Sequence, residues 1–219
     1  MAKHVKHKKH QQLYEKEQAL AKQKTLLIPA EEYLKSGVHI GTKFKTKFME
    51  DFIYKVRPDG LSVFNIETID QRLKLMINFL SQYDPEDIVI CSRRENSWKP
   101  VKKCGELTGI RVFTGRYPAG MLTNPSLKTF TEAKVLLVTD PWPDRNAVRD
   151  ASKVGIPVVA LCDTNNQPNF IDLCIPCNNK GKKSLGLIFY LFTKHYMLNK
   201  GLISSESEFK YSVQDFTED

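Results

Sequence analysis

A doubly wound α/β sandwich, with a mostly parallel central sheet and a hairpin ahead of it, is the fold this sequence predicts. Three observations carry that expectation. Short, continuously apolar runs such as VLLV and VVALC suit strands covered on both faces by helices. Between them lie segments whose apolar residues recur at helical spacing. The two kinds of segment alternate along the chain, as βαβ units require.

The alternation begins with a short helix from Ile28 to Ser36, closed by Gly37. Phe52 to Val56 and Leu61 to Ile66 are β-rich runs joined by Arg57-Pro58-Asp59-Gly60, a turn sequence that predicts a hairpin. Thr68 is expected to cap the next helix, in which Ile69, Leu73, Met76, Ile77 and Leu80 share one face and Asp84-Pro85 ends the run. Ile88 to Cys91 reads as a buried strand. Ser97 opens a helix with Val101, Cys104 and Leu107 inward and Gly109 at its stop, and Ile110 to Phe113 is the strand after it. Beyond the loop GRYPAGMLTNP come a strand (Val135 to Thr139), a helix (Asp144 to Val154, stopped by Gly155) and a strand (Ile156 to Cys162). A short strand, Leu173 to Ile175, precedes a final helix from about Lys182 to Leu198.

With 219 residues and 41% hydrophobic content, the chain can bury one core, expected in a single domain at residues 26–203. The formal charge of +8 is unevenly spread. An N-terminal arm, residues 1–25, carries about +5, the C-terminal tail, residues 204–219, about −4, and the body between them about +7. A body that stays basic without its tails favours a polyanion partner. The arm has a candidate helical stretch after Gln11, and His4, His7 and His10 belong to it by spacing rather than to a metal site. Phe209, Tyr211, Val213 and Phe216 are wasteful in a solvated tail and predict docking onto a neighbour. Five scattered cysteines, no apolar leader and no apolar run near the ~20 residues of a membrane span predict a reduced, cytosolic protein with no membrane partner.

Doubly wound sheets often hold nucleotides, yet no G-x-G-x-x-G occurs, and where Gly115 and Gly120 take phosphate-loop spacing, Met121 replaces the lysine. Asp140 and Asp163 follow strands, where an enzyme of this fold keeps its ligands or bases; with no nucleophile beside them, capping of the following turn is the better reading. Cys174-Ile-Pro-Cys177 supplies half a zinc site and Cys162 a third thiol, but a fourth ligand would have to be borrowed from one of the histidines. Cys174 also falls in a buried strand, a poor place for a reactive thiolate. His39, between Gly37 and Gly41, stands alone. The expectation is therefore no catalytic residue, metal, cofactor or small-molecule substrate, with a nucleotide- or thiol-dependent enzyme as the rival.

The cations are better organised. Lys43, Lys45 and Lys47 alternate with Phe44 and Thr46, and in an extended segment they share one face at about 6.5–7 Å spacing. That spacing suits consecutive phosphates, and Phe44 or Phe48 can pack inward or stack on a base, although a solvated edge fits this segment equally well. Arg93 and Arg94 follow a strand; Lys99, Lys102 and Lys103 line one face of the helix after it; Arg111 and Arg116 flank the next strand. Lys180, Lys182 and Lys183 crowd a helix N-terminus, where the dipole favours an anion and lysines help only with a phosphate bound. Several separate basic clusters without a pocket suit a large folded RNA held by shape and backbone.

The motifs EEYLKSGVHIGT, FIYKVRPDGLSVFNI, KPVKKCGELTG, GRYPAGMLTNP, VLLVTDP, GIPVVALCDTN and IPCNNKGKKSLGLI occur in order over residues 26–203. In them the chain resembles the universal small-subunit ribosomal protein S-two family in its archaeal and eukaryotic form, whose eukaryotic member is ribosomal protein SA, also called laminin-receptor-like. The resemblance implies a flavodoxin-like sandwich bound to small-subunit rRNA and neighbouring small-subunit ribosomal proteins, in the cytoplasm. A stand-alone protein-binding module is a weaker implication, resting on fold analogy alone. Bacterial members carry a helical hairpin after their version of GMLTNP; here SLKTFTEA leads almost directly into VLLVT, which places the chain with the archaeal type. Cys177 and Trp142 depart from the family pattern, and both tails lie outside it.

Overall fold

The computed structural model describes residues 26–217. The basic arm, and with it the helix expected after Gln11, lies outside them. Helix α1 (Ala30–Ser36) ends at Gly37, whose φ of 69° is left-handed and whose N–H caps Leu34 O. Strands β1 (Ile53–Val56) and β2 (Ser62–Phe64) pair antiparallel as the expected hairpin. Helix α2 (Ile66–Leu80) starts earlier than its apolar stripe suggests. Asn65, not Thr68, caps it, its side-chain oxygen accepting from Glu67 N–H at 3.0 Å. Asp70 on the buried face of α2 ties the incoming chain down: it accepts from Leu27 N–H at 2.8 Å and Tyr33 OH at 2.9 Å, and pairs with Lys74 at 2.7 Å.

Strands β3 (Ile88–Ser92), β4 (Arg111–Thr114), β5 (Val135–Val138), β6 (Val158–Cys162) and β7 (Leu173–Pro176) form one sheet in the order β4-β3-β5-β6-β7. Every pairing in it is parallel. The three central strands are buried throughout, as their unbroken apolar runs require. Helix α3 (Trp98–Thr108) joins β3 to β4, and α4 (Arg145–Val154) joins β5 to β6. These crossovers run in opposite directions, so right-handed connections set α3 and α4 on opposite faces. Helix α5 (Lys182–Asn199) packs beside α2 and α3. The order reverses between β3 and β5, and there the strand ends leave the crevice in which doubly wound proteins hold ligands.

The acidic C-terminal segment corrects its expectation. It docks on its own chain. Phe216 is fully buried and meets Tyr190 of α5 edge-on at 5.9 Å; Phe209 meets the same ring at 5.6 Å. Gly186 makes the approach possible, because a Cβ there would stand 2.4 Å from Thr217 Cγ2 and 3.2 Å from Phe216 O. Lys99 Nζ donates to Thr217 O, and Lys103 lies 4.9 Å over the Tyr211 ring. Two helix-α3 lysines expected on RNA therefore hold this strap, and only Lys102 of the three is left exposed with no such contact.

Candidate nucleic-acid interface

The carboxyl end of the sheet gathers both the polar residues and most of the cations. Asp140, just beyond β5, is fully buried. Its Oδ1 accepts from Trp142 N–H and from Asn166 Nδ2, both at 3.0 Å. Its Oδ2 takes both Nε and Nη2 of Arg94, a two-point fork. Asp163, just beyond β6, is built alike: Oδ1 accepts from Thr164 N–H at 2.6 Å and Oδ2 from Lys180 Nζ at 2.8 Å. The two aspartates do hold turns, as expected, and each also neutralises a cation. Asn166 joins the pairs, since its Oδ1 accepts from Asp163 N–H at 2.7 Å and from Asn179 Nδ2 at 3.1 Å.

The crevice between β3 and β5 is closed by hydroxyls. Thr139 Oγ1 donates to Ser92 Oγ at 3.0 Å, Ser92 bonds Ser97, and Ser97 Oγ donates to Arg94 O at 2.6 Å. All three side chains are buried. Asp144 seals the same spot, accepting from Arg93 N–H at 3.1 Å. Its Oδ1 has no hydrogen-bond partner among the described residues, and burial pushes its carboxyl up to about 6.

The raised value has a measurable consequence. The folded chain holds this proton more tightly than the unfolded chain does, so stability falls as pH rises from about 4 to 6 and stays lower above. The loss is about 3 kcal/mol for a shift of this size. Asp144→Asn carries no such penalty. Its stability advantage over the parent is expected to grow from pH 4 to pH 7.5 in urea unfolding; an advantage independent of pH would refute the assignment.

The segment that bears Lys43, Lys45 and Lys47 is fastened to this edge by its backbone. Thr42 N–H donates to Thr164 Oγ1 and Thr46 N–H to Thr164 O, each at 2.9 Å. All three lysines are exposed, and Lys45 pairs with Glu50 at 3.0 Å. The extended run stops short of the expectation: Lys47 is helical, with φ −56° and ψ −37°, and opens a 3-10 turn. Phe44 does not pack inward but is 80% exposed, while Phe48 leans on Phe52 at 6.0 Å. Gly41 lets the segment approach, because a Cβ there would lie 2.5 Å from Thr164 Cγ2 and 3.2 Å from Asp163 Oδ1. Gly41→Ala is expected to cost about 1–3 kcal/mol by displacing Thr164. Chemical denaturation measures this, and an unchanged midpoint would show that the segment gives way freely.

Arg93 follows β3, Arg116 follows β4, and Lys182 and Lys183 follow β7; all four are exposed at this edge. Arg94 and Lys180 reach it too, but their side chains are spent on Asp140 and Asp163 and keep only 33% and 31% exposure. The strand-end network of Ser92, Thr139, Asp144, Asn166 and Asn179 was not foreseen. In one sequence, Asn166 and Asn179 read as turn residues like any other.

The thiols do not support redox or nucleophilic chemistry. All five cysteines are buried and unpaired. Burial pushes the Cys104 thiol up to about 11 and raises Cys91 further, while Cys162 is raised by its hydrogen bond with Cys174 as well as by burial. A reactive thiolate needs the opposite shift. Among the described residues, no group of three or more His, Cys, Asp or Glu side chains can hold a metal ion. His39 lines a cleft of about 1180 Å³ between the hairpin and α2, and burial lowers its pKa.

Fold and edge together define a protein of the doubly wound α/β class, with a basic rim around a crevice closed by its own side chains. A family model described as Ribosomal protein S2 matches residues 128–197. The chain is 47% identical over 190 residues to the small ribosomal subunit protein uS2 of Nanoarchaeum equitans, covering 87% of this chain and 94% of that protein. The chain belongs to the ribosomal protein S2 family, in its archaeal form. It is similarly 46% identical over 191 residues to the uS2 protein of Thermoplasma acidophilum (87% and 96% covered), and 49% identical over 193 residues to that of Methanococcus maripaludis strain C6 (88% and 86% covered). Its role is structural, in the ribosome, and not enzymatic. Among the described residues no helix is long and apolar enough to cross a membrane.

Proposed function

We propose that this chain binds small-subunit rRNA in the cytoplasmic ribosome, through phosphate contacts along the strand-end edge, and packs there against neighbouring small-subunit ribosomal proteins. The supporting observation is the placement of Lys43, Lys45, Lys47, Arg93, Arg116, Lys182 and Lys183 at one end of the sheet, around a crevice that admits no ligand of its own. Lys102, on α3, extends the basic surface, with Lys99 and Lys103 lending charge through the strap. Arg94 and Lys180 contribute charge to the rim while shaping it from inside. The arm, residues 1–25, adds about +5 to the polyanion's attraction. Exposed cations from several separate elements gathered at one edge favour folded RNA held by its backbone. Native protein should co-sediment with small subunits in a sucrose gradient, and purified protein should bind a small-subunit rRNA transcript with steep salt dependence. Protein found only at the top of the gradient, or binding indifferent to salt, would refute the reading.

A further inference from the structure

Two large aromatic side chains stand in solvent at the same edge and serve no core. Trp142, after β5, is 69% exposed, and Phe170, after β6, is 65% exposed. Both line one open cleft of about 220 Å³, together with Arg145, Arg149, Gln167 and Asn169. The floor of the cleft is rigid, because Asp140 holds Trp142 N–H and Asn166 Nδ2 at 3.0 Å each. Phe170 is the single non-glycine residue with positive φ among those described, at 62°. A bulky side chain there is a backbone outlier, and such outliers cluster at binding sites, where surrounding structure holds them. Arg145 and Arg149 stand one turn apart at the start of α4, both exposed, where the helix end also favours an anion.

Exposed aromatic faces beside paired arginines suit one ligand chemistry. A π-face takes a nucleobase of any sequence, guanidinium groups take its phosphate, and side-chain amides reach its edge. The cleft is too small for a folded helix and has room for one flat ring system. We propose that Trp142 and Phe170 capture a single unstacked base of an RNA strand, with Arg145 and Arg149 on the adjoining phosphate and Gln167 and Asn169 at the base edge. The inference rests on the RNA reading above and adds to it a contact made by a base rather than by backbone.

The chain has two tryptophans, so Trp98→Phe leaves Trp142 as its one indole. Titrated with a short oligoadenylate, this variant is expected to lose Trp142 emission in step with binding. Inorganic polyphosphate, which has charge and no base, is expected to bind without that loss. Trp142→Ala should weaken oligoadenylate binding at least about fivefold and leave polyphosphate binding unchanged. Phe170→Gly guards against a folding artefact, since glycine adopts the same φ freely: it should keep the parent's melting temperature and still bind oligoadenylate at least about fivefold more weakly. RNA bound with normal salt dependence but unchanged Trp142 emission, or full affinity in Phe170→Gly, overturns the base site and leaves the backbone reading standing. No RNA binding under any condition overturns both.

Discussion

Replacing Lys43, Lys45 and Lys47 together by alanine is expected to weaken binding to small-subunit rRNA severely and to flatten its salt dependence. Each phosphate neutralised by a lysine releases counterions, so losing three should lower the slope of log affinity against log salt by about two to three. The loss should be nearly uniform across RNA sequences, because such contacts carry no base information. Stability should move by no more than about 0.5 kcal/mol, as these are exposed side chains. The Lys45–Glu50 pair is itself exposed and worth little. The backbone that presents the lysines is held by Thr164, which the substitutions do not touch. Filter binding across a salt series measures both quantities. An unchanged slope would place the phosphate contacts elsewhere on the molecule.

Asp140→Ala is expected to do the reverse, lowering stability far more than it changes any surface charge contact. The substitution strips Arg94, Asn166 and the Trp142 N–H of one shared acceptor in a buried position. Removing one partner of a buried pair leaves the other uncompensated, at about 3–5 kcal/mol. Arg94 keeps 33% of its side chain in water, so a loss of about 2–3 kcal/mol is the better expectation. Adding Arg94→Ala should recover part of it, because the stranded guanidinium is then gone. Urea unfolding of the two single variants and the double variant completes the cycle. Strictly additive losses would show that the pair is not coupled.

These two outcomes divide the basic residues in a way that the sequence does not. Alternation of period, buried strand runs and stops such as Gly37, Gly109 and Gly155 are local signals, and each element they predict is present within a few residues of its expected place. The start of α2 was misplaced because Asn65 and Thr68 are both competent caps, and only the backbone at Asn65 shows which one turns the chain. Arg94 and Lys180 look like Arg93 and Lys182 until Asp140 and Asp163 arrive from strands 46 and 17 residues away. The docked strap was missed for a related reason: Phe216 has no partner until α5 offers Tyr190 across a glycine. Local chemistry is legible in one sequence; long-range pairing of charge and ring is not.

The strand order also carries a consequence for how the chain assembles. Val89 pairs with Arg111, Leu136 with Val158 and Val159 with Leu173, separations of 22, 22 and 14 residues, whereas Ile88 must find Val135, 47 residues on. Closing the longer loop costs more chain entropy. The β3–β5 seam thus joins two parts of the sheet, β3-α3-β4 and β5-α4-β6-β7, across the longest connection in it. Arg94–Asp140, Arg93–Asp144 and Ser92–Thr139 are among the side-chain links that cross that seam at its open end. Viewed as a folding device, the polar network that shuts out ligands is a latch. Weakening it should speed unfolding while leaving the rate of folding almost untouched.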